Sequence, residues 1–196
     1  MGLPQGGILG REAEGTIVST GPGNYQNLDL KIGDRVVWLA IGGYAKYTAV
    51  PAPMAYRIPS EIKPGVAAAA LLQGLTAFIL THEVHHVEKD DWVLVHAAAG
   101  GVGLWLCQIL KALGAHMIGT AGTAEKIELA KENGAEWVIN YNEDKDLVKK
   151  IMGITNGKGV KAVYDSIGKD QYENTLEVVA QNGIIVNYGA SVGSPA

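Results

Sequence analysis

The chain has 196 residues, 47% of them hydrophobic and 18% charged, with a net charge of −4. That balance belongs to a globular α/β protein and excludes a disordered one, and with no basic block it gives no support for sequence-blind binding to nucleic acid or to an anionic membrane. The single cysteine, Cys107, excludes an internal disulfide and a cysteine-rich metal site. No apolar run reads as long and uninterrupted enough to span a bilayer, and no signal-peptide pattern is visible, so a cytoplasmic location is expected.

Residues 1–59 read as β-rich. Strands are expected at 15–19, 34–40, 44–50 and 55–58, with a turn at Gly21-Pro22-Gly23. Pro51, Pro53 and Pro59 break this part into short pieces, a poor core by itself. From Ser60 the pattern turns helical: an alanine-rich helix start at 66–72, a break at 73–77, and a second helix reaching His82. His82, His85 and His86 have spacing that two-histidine metal sites use, but no acidic or cysteine partner is evident, and a solvated helix end is the better reading.

The stretch His96-Ala97-Ala98-Ala99-Gly100-Gly101-Val102-Gly103 follows a short apolar strand at 91–96 and opens an apolar helix that stops at Gly114. Strand, small-residue turn and helix in this order make the phosphate-binding turn of a dinucleotide fold, although Ala98 replaces the first glycine of G-x-G-x-x-G. Ala99, Gly100, Gly101, Val102 and Gly103 are the expected cofactor-binding residues of the turn. Gly100 and Gly101 permit close approach to a pyrophosphate, Gly103 permits tight helix packing, and the helix N-terminus offers N–H groups to the anion. Strands at 115–120, 135–140, 160–165 and 184–188 alternate with helices at 124–133, 144–152 and 172–181, and Asn156-Gly157 makes a turn. Five strands with intervening helices predict a doubly wound parallel sheet.

The second strand of this repeat ends at Thr120-Ala121-Gly122-Thr123, without the acidic residue that grips the ribose 2′-OH in NAD-specific sites. Gly122 leaves room for a 2′-phosphate, Thr123 offers a hydroxyl, Lys126 a positive charge and Tyr141 a closing ring, which together favour NADPH over NADH. Asp165-Ser166 ends another strand. Asp165 reads as structural there, and a cofactor contact suits that position better than acid–base work. No Ser-His-Asp, Cys-His or paired-carboxylate constellation competes, so no catalytic residue is assigned.

Gly10-Arg11-Glu12-Ala13-Glu14-Gly15 with Val18 resembles the G-x-E-x-x-G-x-V signature of the medium-chain dehydrogenase/reductases. The phrases GDRV, LLQGLTA, HAAAGGVG, GTAGTAEK, INY, YDSIGKD and VNYGAS are similar to those of the zeta-crystallin-like quinone oxidoreductases in that superfamily. The resemblance implies a partial GroES-like catalytic domain over residues 1–60 and a Rossmann NADP-binding domain over 61–196 that lacks its last strand, with NADPH in the cleft between them. It implies hydride transfer to quinones or related enones and enals, a homodimer in the full-length form, and further cofactor contacts from Thr76, Ser166, Tyr188, Gly189, Ala190 and Ser191. Arg11 stands where zinc-dependent members carry histidine, and residues 67–70 lack the expected cysteine, so a zinc-free enzyme is implied. The family's chain is longer at both ends, so this one reads as a fragment or a shortened product. A zinc-free enoyl or alkenal reductase is one alternative. A non-catalytic NADPH-binding protein of the crystallin or RNA-binding kind is another, though no basic stripe or aromatic platform favours RNA.

Overall fold

The computed structural model describes residues 7–22, 29–144 and 146–193. They form two compact units, Met1–Leu75 and Thr76–Ala196.

The first unit holds an antiparallel sheet of three strands, β1 (Glu12–Thr16), β2 (Arg35–Leu39) and β3 (Ala55–Arg57), in that order. Val36 and Val37 are its buried centre, and Ile58 packs at the end of β3. β1 lies about three residues earlier than the expected 15–19, because Glu12 through Thr16 pair with Leu39 through Arg35 and Val18 is left 62% exposed. Of the expected Gly21–Gly23 turn, Gly23 lies outside the described residues.

Residues 44–50 are not a strand. The N–H groups of Gly42 and Gly43 both reach Gly10 O, Tyr44 N–H goes to Leu9 O, and the Thr48 hydroxyl donates back to Gly42 O at 3.0 Å. These bonds curl the segment instead of offering a ladder edge. Gly10 is required there, since its φ is +99° and a Cβ would stand 2.9 Å from Gly43 Cα.

The expected helix break at 73–77 is absent: α1 runs unbroken over Val66–Ile79. Gly74 costs a helix interior about 1 kcal/mol, which alanine and leucine neighbours absorb. α1 then widens into a π turn over Leu80–Val84, where the His85 N–H reaches Leu80 O and the Thr81 hydroxyl bonds back to Ala77 O. Without the break, Val66–Val84 is 19 residues, long and apolar enough by length and composition to cross a membrane, contrary to the sequence reading. Its far end is nonetheless built into the core of the second unit: Ala77 and Leu80 are buried there, and the Tyr164 hydroxyl donates to Leu80 O at 2.9 Å.

The second unit is a five-stranded sheet in the order β6-β5-β4-β7-β8, every pairing parallel. Its strands are β4 (Trp92–Val95), β5 (His116–Ala121), β6 (Trp137–Asn140), β7 (Val160–Asp165) and β8 (Val179–Asn187). Between them lie α2 (Gly101–Leu113), α3 (Ala124–Glu132), α4 (Leu147–Ile154) and α5 (Tyr172–Val178). Period-two alternation separates two cores. Val93, Val95, Met117, Ala162 and Tyr164 meet Leu106, Cys107 and Leu110 of α2 on one face. Leu94, Ile118, Ile139 and Val163 meet Leu147, Ile151 and Val178 on the other. This is the doubly wound Rossmann arrangement, and its strand order reverses at β4, beside β7.

Several element ends differ from expectation. α4 begins at Leu147 because Asp146 caps it, Oδ1 accepting the Lys149 N–H at 2.9 Å, and it continues through Gly153. α5 stops at Val178, because Val179 already pairs with Val160; the register then jumps to Ala162 opposite Ile184, leaving a bulge around Asn182 (φ +60°) and Gly183.

The turn after β4 is set from behind by buried polar groups. His96 is fully buried, its Nδ1 lying 3.2 Å from Thr120 Oγ1 and its Nε2 3.1 Å from Thr175 Oγ1. Burial pulls the His96 pKa down to about 4, against the opposing pull of Asp165, so the ring is neutral at pH 7.

The unfolded chain takes up this proton near pH 6.5 and the folded one only near pH 4, so His96 contributes stability that is complete above 6.5 and is lost as pH falls through that window. We expect urea unfolding to show a loss of the order of 3 kcal/mol between pH 7 and 4 that a His96→Gln variant does not show. Parallel profiles for the two proteins contradict this. Glycine content generates a second expectation. A Cβ at Gly103 would stand 2.5 Å from the carbonyl oxygens of Ala97 and Ala98, whereas one at Gly153 meets nothing within 4 Å. Gly103→Ala should therefore lower stability by about 1–3 kcal/mol, and Gly153→Ala should raise it by about 0.5–1 kcal/mol, as read from denaturant midpoints.

Candidate functional site: a dinucleotide cradle at the strand ends

Apart from Thr76, the expected cofactor residues of the second unit lie at the carboxyl ends of the parallel strands, where open α/β sheets bind ligands. Three groups stand there.

The first is the turn between β4 and α2. Ala97 takes a left-handed conformation, φ +53°, and the Gly100 N–H closes the turn on Ala97 O at 2.8 Å. Gly100 and Gly101 are exposed at the start of α2, whereas Gly103 is buried against the carbonyls of Ala97 and Ala98. The two kinds of glycine thus do different work: two leave the helix's first N–H groups open to solvent, and one lets α2 seat on the turn. Ala99 and Val102 are half-buried and pack on the core beneath. Cys107, one turn deeper in α2, directs Sγ to Ala98 O at 3.6 Å, and burial pushes its thiol up to about 11. It is a buried packing residue.

The second group closes the end of β5. Thr123 caps α3, its Oγ1 accepting the Lys126 N–H at 3.3 Å, with an extended backbone (φ −140°, ψ 155°). The Tyr141 ring lies over Gly122, so that a Cβ on Gly122 would fall 2.7 Å from the ring's Cζ. Asn142 joins this group, donating from Nδ2 to Gly122 O at 2.7 Å while its own N–H is held by Asn140 Oδ1 at 3.1 Å. Sequence reading passed over Asn142. The only signal was its place beside Tyr141, just past a strand end. No carboxylate belongs to the described contacts of Gly122 and Thr123.

The third group joins the ends of β7 and β8. Asp165 is buried and structural: its carboxylate accepts the N–H groups of Ile167 (2.7 Å) and Gly168 (3.2 Å) and the Asn187 amide (3.3 Å). Those bonds fold the loop that carries Ser166. The Ser191 N–H reaches Ser166 O, the Tyr188 N–H reaches Asp165 O, and Gly189 lies so close to Ser166 that a Cβ would approach its carbonyl oxygen to 3.0 Å. Burial raises the Tyr188 hydroxyl pKa, against a hydrogen bond from Ser166 that lowers it. Ala190 lies in the same loop, exposed, and its carbonyl accepts the Gly193 N–H. Thr76, half-buried in α1, is carried by none of these strand ends.

In the first unit, the two glutamates of the 10–15 signature hold α1. Glu14 accepts the N–H groups of Gly65 (2.6 Å) and Ala68 (3.2 Å) with Arg35 3.6 Å away, and Glu12 accepts the Gln73 amide at 3.1 Å. Burial by itself would raise the Glu14 pKa, but these N–H groups and Arg35 hold it below the usual range. Their role was not assigned from sequence, though two carboxylates two positions apart on a strand share one face.

A zinc site does not fit these residues. Arg11 is exposed, residues 67–70 are alanines, and no group of three or more His, Cys, Asp or Glu among the described residues is placed to hold a metal. His82 stacks on Phe78 and bonds to Thr81, and His85 lies 3.6 Å from Asp91, so the histidines engage separate partners.

Comparison with known proteins places this geometry. A family model described as zinc-binding dehydrogenase matches residues 101–196. A probable quinone oxidoreductase of Schizosaccharomyces pombe is 45% identical over 188 residues, covering 95% of this chain and 56% of that protein. Among solved structures, Escherichia coli quinone oxidoreductase complexed with NADPH superposes with a TM-score of 0.91 at 43% identity, covering 96% of this chain and 57% of that one. Mycobacterial Rv1454c complexed with NADPH gives 0.92 at 39%, covering 97% and 59%. The chain thus spans less than two thirds of the length of each of these relatives. With its signature over residues 10–15, its glycine turn and its parallel sheet, the chain is similar over nearly its whole length to part of these quinone oxidoreductases.

Proposed function

We propose that this chain carries the NADPH-binding part of a zinc-free, NADPH-dependent quinone reductase. The observation that carries the reading is the end of β5: Tyr141 fills the space over Gly122, Thr123 caps α3 with Lys126 in its first turn, and among the described residues no carboxylate is in contact with Gly122 or Thr123. The names of the relatives, and the NADPH in two of their structures, support the same reading.

In this account the pyrophosphate lies on residues 99–103, where the exposed start of α2 presents N–H groups and the positive end of the helix dipole. Lys126, Thr123 and Tyr141 hold the 2′-phosphate, with Asn142 fixing the Gly122 carbonyl beside it. Ser166, Tyr188, Gly189, Ala190, Ser191 and Thr76 serve the rest of the cofactor. Bound NADPH supplies the reducing equivalents for a quinone or another small electron-poor carbonyl compound, and the protein supplies orientation and electrostatics. We assign the domains as a partial GroES-like lobe over 1–60 and the NADP-binding domain over 61–196. The protein is read as soluble and cytoplasmic, acting as a homodimer without nucleic acid or membrane partners.

Lys126→Ala should weaken NADPH binding by about 1–3 kcal/mol, the worth of a charge-assisted hydrogen bond, and leave NADH binding nearly unchanged. Fluorescence titration with both nucleotides measures this. Equal losses, or tighter NADH binding by the parent protein, contradict the assignment. Elemental analysis of protein purified without chelator should show no stoichiometric zinc; one tightly held zinc per chain would refute the zinc-free reading.

A further inference from the structure

The candidate cradle is gripped from behind by one residue that touches no solvent. Thr120, at the penultimate position of β5, binds two consecutive N–H groups of the glycine turn: its hydroxyl accepts from Ala97 at 3.3 Å, and its carbonyl accepts from Ala98 at 3.0 Å. Ala97 needs such a grip. Its φ of +53° is left-handed, a region that costs a residue with a Cβ roughly 1–2 kcal/mol. The carbonyls of Ala97 and Ala98 are in turn the surface on which Gly103 rests, since a Cβ there would stand 2.5 Å from both oxygens. The chain of contact therefore runs from Thr120 through Ala97 and Ala98 to the first turn of α2, whose N–H groups face the proposed pyrophosphate site.

The Thr120 hydroxyl is itself held. It accepts from the Ala97 N–H, and it also meets His96 Nδ1 at 3.2 Å, so its rotation is fixed by two partners. The opposite nitrogen of His96 is anchored on Thr175 of α5 at 3.1 Å. All three side chains are at most 1% exposed, so the bonds have no competition from water.

We propose that Thr120, oriented by His96, is a positioning residue for the dinucleotide: it sets where the first N–H groups of α2 stand, and so governs binding of the pyrophosphate. The proposal rests on the NADPH reading above, and it makes a different demand on the data. The pyrophosphate is common to NADPH and NADH, so loss of the grip weakens both alike, unlike loss of Lys126.

The test compares Thr120→Val, Thr120→Ser and Thr175→Val in the otherwise unaltered chain, with nucleotide affinity by fluorescence titration and melting temperature measured for each. Both valine variants remove one hydroxyl from the same histidine, and both should lower the melting temperature. Only Thr120→Val also removes the acceptor of the Ala97 N–H, leaving the turn held by the Ala98 bond alone: it should raise Kd about tenfold for NADPH and NADH equally, while Thr120→Ser stays within about twofold and Thr175→Val within about threefold of the parent. If Thr120→Val does not fold, Thr120→Ala carries the same comparison. Parental affinity in the hydroxyl-deleted variant, or equal losses in Thr120→Val and Thr175→Val, overturns the proposal and leaves Thr120 a core residue only. A parent protein that binds neither nucleotide overturns the NADPH reading itself, and the proposal falls with it.

Discussion

The seating of α2 on the turn that follows β4 is the constraint on which the rest of the site depends. Gly103 can rest against the carbonyls of Ala97 and Ala98 only because it has no Cβ, and those carbonyls stand where they do because Thr120 holds the N–H groups of the same two residues. Moving either contact by an ångström would move the helix start relative to the strand ends. The exposed Gly100 and Gly101 then leave open backbone on the side opposite the close packing, where the proposed pyrophosphate site lies.

The other two loop groups inherit their positions from this arrangement. β5 lies next to β4 with Val95 opposite Gly119, which brings Gly122 and Thr123 to the same end of the sheet as the glycine turn. β7 flanks β4 on the other side with Val95 opposite Tyr164, which brings Asp165 and Ser166 level with it. The reversal of strand order at β4 opens a crevice between the two crossover directions. Asp165 contributes to this by satisfying backbone N–H groups in a buried loop, a role in which a carboxylate is worth more than an apolar residue of its size.

Much of the second unit was legible in the sequence because its signals are local. Apolar strands of four to six residues, a cap at Thr123, and stops at Gly114 and Gly134 each follow from a few neighbouring residues. The misreadings came where longer-range contacts decide. Residues 44–50 have the composition of a strand, but the Tyr44 N–H goes to Leu9 O and the Thr48 hydroxyl turns back to Gly42 O. Gly74 looks like a helix break, yet the surrounding leucines and alanines carry α1 across it. α5 ends early because Val179 finds a partner in Val160, a pairing that helical periodicity cannot show. The residues of the proposed cradle stand out through the glycine motif and the strand ends. Thr120, His96, Asn142 and the two glutamates of residues 10–15 were passed over as functional candidates, because the side-chain partners of each lie 20 or more residues away in sequence.

Amide hydrogen exchange in the nucleotide-free protein tests most directly the claim that the cradle is preformed by this grip. The account predicts that the amides of Ala97 and Ala98 exchange as slowly as those of β4, although they lie in a turn beside exposed glycines. Exchange as fast as that of the exposed loop around residues 44–47 would contradict it, and would mean that the turn acquires its shape only when a nucleotide binds.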